Sequence, residues 1–390
     1  MVALRVMTVF GTRPDTIKMA PVVHALRAAG PAVVPIVCVS AQHREMLDDL
    51  LALFEIVPDY DLDIMTPHQT LTQITTRVLE RMEPVLHETR PDVVLVHGDT
   101  TTSTSAALAA FYARVPVGHV EAGLRTATRW EPYPEEMNRR ITGAIASFHF
   151  APTPRSRMHL TRENVDPSAI VVTGNTVIDA FRETANAPGA VDPPELDGLD
   201  PDRPLIFVTA HRRENHDRMR GICEALRDVS RLPARPQILW PVHPSPQVAP
   251  VAHDVLDGVE GVRLVAPMGY DATVRAIVRC SFVVTDSGGL QEEAPCLGRP
   301  VLVMRDQTER PEGLDAGTLE LVGADPARIV HASRTLLEDE AAYGRMARAS
   351  NPYGDGRASG RIVAWLLARF RGGPAPDEFR PGPAEAAPRP

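Results

Sequence analysis

Cysteine is scarce: four in 390 residues, Cys38, Cys223, Cys280 and Cys296, with no C-x-x-C pair. That leaves neither a disulfide framework nor a zinc ribbon to hold the fold. Basic charge is short too, with 41 Lys and Arg against 50 Asp and Glu and a formal net charge of −9. No dense Lys/Arg block occurs, which argues against nucleic acid as a partner. No apolar run reaches the roughly 20 residues of a membrane-spanning helix. The opening Met1-Val2-Ala3-Leu4-Arg5 lacks a signal-peptide cleavage pattern. A cytoplasmic location with no membrane partner is expected. There is no G-x-G-x-x-G turn for a dinucleotide and no H-E-x-x-H, so neither a nicotinamide cofactor nor a metal is expected.

What is present suits two packed domains of roughly 150–200 residues each. Apolar residues make up 44% and charged residues 23%. Val6–Phe10, Val33–Val39, Val93–His97 and Val115–Val120 read as buried strands, separated by helical stretches near Pro14–Ala29, His43–Phe54, Leu71–Glu88 and Thr102–Ala113. The pattern returns with strands at Leu205–Thr209, Gln237–Trp240, Val262–Val265, Phe282–Thr285 and Val301–Met304. Strands with little alternation, spaced by helices, predict parallel sheets covered on both faces. The expected fold is therefore α/β, two doubly wound Rossmann-like domains with a central cleft. Residues 1–174 form the first and 175–357 the second, with an exposed connector at 186–204. A helix at 358–371 is expected to pack back on the first domain, and the Pro-, Ala- and Gly-rich 372–390 to be a disordered tail.

Ligands of open parallel sheets gather at the carboxyl ends of strands. Gly11-Thr12-Arg13-Pro14-Asp15 follows the first strand and leads into a helix carrying Lys18. Arg13 reads either as a cleft residue or as a surface arginine on an ordinary turn. Asp99, in His97-Gly98-Asp99-Thr100, reads alone as a helix cap. Glu121, directly after the next strand, is not needed for capping and is costly to desolvate, so it leans functional. Glu135 and Arg139 fall four apart on a helix opened by Pro134, which also fits an ordinary ion pair. Taken together, Asp99, Glu121 and Glu135 give three carboxylates at one edge, the arrangement that separates pKa values into an acid and a base.

The second half places His211-Arg212-Arg213-Glu214 after its first strand and, more weakly, His243 after its second. A histidine followed by two arginines suits an anion. Thr285-Asp286-Ser287-Gly288-Gly289-Leu290 carries the clearest phosphate signal: a strand end, glycines that admit a ligand to the backbone, then a helix start. Glu293, one turn in, suits a ribose, and Arg310 adds charge for the same phosphates.

These segments, with Gly11-Thr12-Arg13-Pro14, Gln42-His43-Arg44, His119-Val120-Glu121-Ala122-Gly123-Leu124-Arg125-Thr126, Thr173-Gly174-Asn175-Thr176, Glu292-Glu293-Ala294-Pro295 and Thr308-Glu309-Arg310-Pro311-Glu312, run through nearly the whole chain in family order. In them the sequence resembles the non-hydrolysing UDP-N-acetylglucosamine 2-epimerases. The resemblance implies a glycosyltransferase-B-like fold and interconversion of UDP-GlcNAc and UDP-ManNAc by elimination of UDP to 2-acetamidoglucal and re-addition, with no cofactor. It makes Asp99, Glu121, Glu135, Arg139 and His211 catalytic positions, with Arg13, Lys18, Ser287, Gly288, Gly289, Glu293 and Arg310 as substrate contacts. It further implies a homodimer, and a second UDP-GlcNAc acting as activator at Gln42, Glu136, Arg213 and His243. Two departures stand out: Asp15-Thr16 where the family usually has Glu-Ala, and Thr273 where it often has a Phe near the uracil. The competing readings are a 2-epimerase of a modified UDP-sugar such as an acetamido uronic acid, a glycosyltransferase on the same fold, and a non-catalytic UDP-sugar-binding regulator.

Overall fold

The computed structural model describes residues 3–41, 44–126 and 128–382, with backbone alone at 44–46. These residues divide into two compact units, one running to Ala180 and taking in Gly354–Arg380, the other Phe181–Tyr353. In the first, seven strands lie parallel: β1 (Leu4–Phe10), β2 (Val33–Val39), β3 (Tyr60–Asp61), β4 (Val93–His97), β5 (Val117–Val120), β6 (Phe148–Ala151) and β7 (Ile170–Val172). Their order is β3-β2-β1-β4-β5-β6-β7. Helices α1 (Arg13–Ala28), α2 (Arg44–Leu53), α3 (Leu71–Thr89), α4 (Thr101–Tyr112), α5 (Glu135–Ile145), α6 (Pro154–Arg162) and α7 (Thr176–Ala185) connect them, and the division between units falls inside α7.

The second unit repeats the winding with β8 (Leu205–Thr209), β9 (Gln237–Pro241), β10 (Val262–Val265), β11 (Phe282–Thr285), β12 (Val301–Val303) and β13 (Leu319–Leu321), in the order β10-β9-β8-β11-β12-β13. Its helices are α8 (Met219–Ser230), α9 (Ala249–Leu256), α10 (Tyr270–Arg279), α11 (Gly288–Glu293), α12 (Pro311–Ala316), α13 (Pro326–Glu338) and α14 (Glu340–Ala347). The last helix, α15 (Ala358–Arg371), packs on α1 of the first unit, with Trp365 edge-on to Phe148 and Phe150. Two parallel α/β sheets of this kind make the glycosyltransferase-B-like fold.

Each sheet is covered on both faces, so its central strands are mostly apolar; every residue of β4 is buried. On β5, Gly118 lets the neighbouring strands' side chains close in, since a Cβ there would stand 2.6 Å from Leu95 and 3.0 Å from Phe150. Threonines begin the helices that leave the site edge. Thr12 and Thr100 accept from Asp15 N and Ser103 N, satisfying N–H groups that the first turn leaves open.

The tail expectation needs correction. Residues 377–379 lie against the first unit: Glu378 pairs with Arg157, Phe379 N donates to Val172 O at 2.8 Å, and the Phe379 ring is 3% exposed. A single aromatic with an apolar seat anchors a stretch whose average composition reads as disordered. The connector is likewise tied down, Asp192 accepting from Arg275 at 3.1 Å and Arg279 at 2.5 Å. All four cysteines are buried and free, and burial pushes each thiol up to about 12. Among the described residues, no helix is long and apolar enough to cross a membrane.

Candidate active site

Parallel pairing brings the ends of β1, β4 and β5 to one edge of the first sheet, His97 standing opposite Val120. Gly98 follows β4 with φ +59°, a left-handed turn that glycine takes without cost, and this turn delivers Asp99. His119, buried in β5, reaches the Gly98 carbonyl at 2.7 Å, and burial pushes its pKa down to about 3, so the ring acts as a neutral peg. Glu121 itself has φ +62°, a conformation rare for a non-glycine residue and found where a site over-determines the backbone.

Neighbouring side chains hold the Glu121 carboxylate. Lys18 pairs with Oε1, Asn175 donates to the same oxygen at 2.8 Å, and His97 Nε2 stands 3.4 Å from Oε2. Asp99 is gripped differently, by Arg139 Nη2 at 2.9 Å on its Oδ2. Burial raises the Asp99 pKa to about 6; Arg139 opposes that rise and the Glu121 charge adds to it. Desolvation outweighs a direct guanidinium contact here. The pair is therefore unequal: one carboxylate titrates near neutrality, while the other is held by a lysine and an amide.

Glu135 is half-buried at the start of α5. Its expected ion pair with Arg139 does not form, because Arg139 is drawn to Asp99 and to Glu136 Oε2 at 3.5 Å, touching only the Glu135 carbonyl. Glu135 Oε2 is shielded and has no hydrogen-bond partner among the described residues. Glu136 is fully buried, its carboxylate occupied by Arg140 at 2.7 Å, Thr126 N at 3.1 Å and Arg139. It is thus already satisfied where a ligand contact was expected. Arg13 stands exposed on the first turn of α1. Gln42 lies outside the described residues.

In the second unit β8 and β11 are neighbours, so His211 and Asp286 leave the sheet side by side. Asp286 accepts from the backbone N–H of His211 and of Arg212, both at 2.9 Å, and from Asn215 at 3.1 Å. That fixes the turn carrying His211 and Arg212. Burial lowers the His211 pKa, with Asp286 opposing and Arg212 and His243 adding to the fall. The rings of His211 and His243 stack at 5.8 Å, and Arg213 is exposed beside them.

Ser287 opens α11, and Gly288 is the point where charge converges. A Cβ there would stand 3.6 Å from Arg212 Nη2, 3.8 Å from Arg310 Cζ and 2.9 Å from Glu309 Oε1. Arg310 is braced by Glu292 Oε1 at 2.5 Å. Glu293 reaches back over Gly289. Two guanidiniums beside a glycine at a helix start are chemistry that suits a diphosphate. Thr273 turns its hydroxyl to the Gly269 carbonyl at 2.8 Å, closing the first turn of α10. Among the described residues no cluster of His, Cys, Asp or Glu is placed to hold a metal.

Sequence reasoning named Asp99, Glu121, Lys18, Arg139 and the glycine loop, and each unit brings its share together. It passed over Asp15, His97, Asn175, Arg212 and Asp286 as site residues, although all lie in the segments that carried the resemblance. Each ends or follows a strand or stands at a helix start, and a polar residue at such a place was the available signal.

Comparison with known proteins places this geometry. The profile of the family described as UDP-N-acetylglucosamine 2-epimerase matches residues 25–367. A UDP-N-acetylglucosamine 2-epimerase of Escherichia coli is 54% identical over 370 residues, covering 93% of this chain and 98% of that protein. A Listeria monocytogenes crystal structure superposes with a TM-score of 0.92 at 44% identity, covering 97% of this chain and all of that one. The UDP-GlcNAc 2-epimerase of Neisseria meningitidis, solved bound to UDP-GlcNAc, gives 0.83 at 44% identity over 93% of this chain and all of that one. With the family profile matching residues 25–367 and a relative 54% identical over nearly the whole chain, this chain belongs to the UDP-N-acetylglucosamine 2-epimerase family.

Proposed function

We propose that this chain interconverts UDP-N-acetylglucosamine and UDP-N-acetylmannosamine, an isomerisation at C2 that needs no added cofactor. The observation that carries this reading is the unequal carboxylate pair, Asp99 beside Arg139 and Glu121 beside Lys18, His97 and Asn175. A C2 proton of an N-acetyl sugar is weakly acidic, and departure of the diphosphate from C1 acidifies it. One carboxylate takes the proton while the C1–O bond breaks to release UDP, and the C–H electron pair becomes the C1=C2 bond of 2-acetamidoglucal. Re-addition of the diphosphate oxygen to C1, with protonation on the opposite face, inverts C2. This requires proton-transfer groups in different environments and cations for a leaving diphosphate. The first unit supplies the former, with Glu135 as third carboxylate; Arg212, Arg310, Gly288, Gly289 and His211 of the second suit the latter. Ser287 and Glu293 are assigned to the diphosphate and ribose.

Incubation with UDP-GlcNAc in D2O, followed by proton NMR, tests the reading. The manno epimer should appear with deuterium at C2. Nucleotide binding without epimer or exchange would sink the parent-substrate assignment and bring a modified UDP-sugar forward.

Three further assignments belong to this proposal. A homodimer is supported by exposed Phe111, Tyr112, Trp130, Tyr133 and Ile141. Activation by a second UDP-GlcNAc is supported at Arg213 and His243, the latter stacked on His211, whereas the occupied carboxylate of Glu136 weighs against its share. A cytoplasmic location is supported by four unpaired thiols.

A further inference from the structure

Asp15 and His97 lie outside every role assigned so far, yet both are almost wholly buried, at 2% exposure each. His97 Nδ1 is 3.2 Å from Asp15 Oδ1, and the second Asp15 oxygen accepts from Thr100 Oγ1 at 3.1 Å. A carboxylate facing Nδ1 takes the ring N–H, which leaves the lone pair of a neutral imidazole on Nε2. Nε2 is buried without a hydrogen-bond partner among the described residues, and Glu121 Oε2 stands 3.4 Å from it. Two lone pairs facing each other in a dry site repel, and one proton between them removes that cost. Lys18 and Asn175 engage the other Glu121 oxygen, and Oε2 is the one that faces the His97 ring.

We propose that Asp15 and His97 are positioning residues for Glu121: Asp15 fixes the His97 tautomer, and His97 Nε2 and Glu121 Oε2 keep one proton between them. The inference rests on the epimerase reading and assigns it a direction. Glu121 delivers this proton to C2 during re-addition; the O–H pair stays on Oε2, the C1=C2 pair forms the new C–H bond, and C1 takes the returning diphosphate oxygen. In the reverse direction the same atoms take it back. The charged and titratable groups facing His97 are Asp15 from α1, Glu121 beyond β5 and His119 within β5, with Lys18 on the other Glu121 oxygen.

The full-length protein labelled with nitrogen-15 histidine reads the arrangement without turnover. The His97 Nδ1 signal should be that of a protonated nitrogen, and the Nε2 signal should move when Glu121→Gln removes its acceptor. A bare Nδ1, or an Nε2 signal indifferent to Glu121→Gln, would overturn the proposal. Kinetically, His97→Gln should lower kcat about 100-fold, leave KM within about twofold, and displace one limb of the kcat–pH profile, with UDP binding and melting temperature retained. Asp15→Asn, which no longer dictates the tautomer, should show the same displaced limb with a smaller loss of rate. If His97→Gln keeps the wild-type profile and rate while Asp99→Asn and Glu121→Gln are inactive, the positioning role fails and the epimerase reading stands. If the wild type epimerises nothing, that reading fails, and the nitrogen signals still decide whether the proton is shared.

Discussion

Asp99 is half-exposed to its neighbours' charges and mostly cut off from water, and the second circumstance dominates. Its pKa rises from 3.8 to about 6 through burial, despite Arg139. The sign follows from proton counts: between those values the folded state holds a proton that the unfolded chain has released. The Asp99 contribution to stability is therefore complete below 3.8 and lost as pH rises through about 6. Asp99→Asn removes this loss. Melting curves should show the variant gaining on the wild type between about pH 4 and 6 and holding a constant lead above; a difference that is flat across pH would contradict the raised value. The same proton count touches catalysis, since Asp99 is the base form above its pKa.

At the level of elements, the turn from β11 into α11 shows how little a site needs to change in order to fail. A Cβ added at Gly288 meets only the tip of Glu309, a side chain able to swing aside, so the fold should tolerate it. The same methyl stands where Arg212 and Arg310 converge. Gly288→Ala should weaken UDP binding by about tenfold, roughly 1.4 kcal/mol, in titration calorimetry, with melting temperature nearly unchanged. Wild-type affinity would show that the phosphates lie elsewhere.

The strands β1, β2, β4, β8 and β11 were legible in the sequence because burial on both faces writes runs dominated by apolar residues, valine above all. Four short strands at or next to a sheet edge were not. Tyr60–Asp61 has two residues, Ile170–Val172 and Leu319–Leu321 have three, and Phe148–Ala151 carries a histidine at its second position. A period cannot be read from so few residues, and pairing with a longer neighbour decides them. The site divided in the same way. Asp99, Glu121 and the glycine loop were legible from their place after strands, whereas the Asp15–His97 contact joins residues 82 apart and exists only once β1 and β4 lie side by side.

Over the whole molecule, the chain's return to its first unit is a feature that composition concealed. The segment at 377–379 closes over β7 through Phe379, whose ring also faces Arg361 at 5.7 Å. Phe379→Ala should cost about 3 kcal/mol, the loss expected for truncating a buried phenyl ring. It should leave UDP binding intact, because the residues assigned to UDP belong to the other unit. A melting temperature indifferent to the change would return these residues to the status of a tail.

The four thiols buried in the two cores have a practical consequence. With no sulfhydryl both exposed and ionisable near neutrality, the native protein should be silent to maleimides and to disulfide-exchange dyes, turning reactive only when denatured. A single cysteine introduced at exposed Trp130 would then be the sole address for a fluorophore or spin label. Distance measurements during turnover become possible without first stripping the chain of its own sulfur.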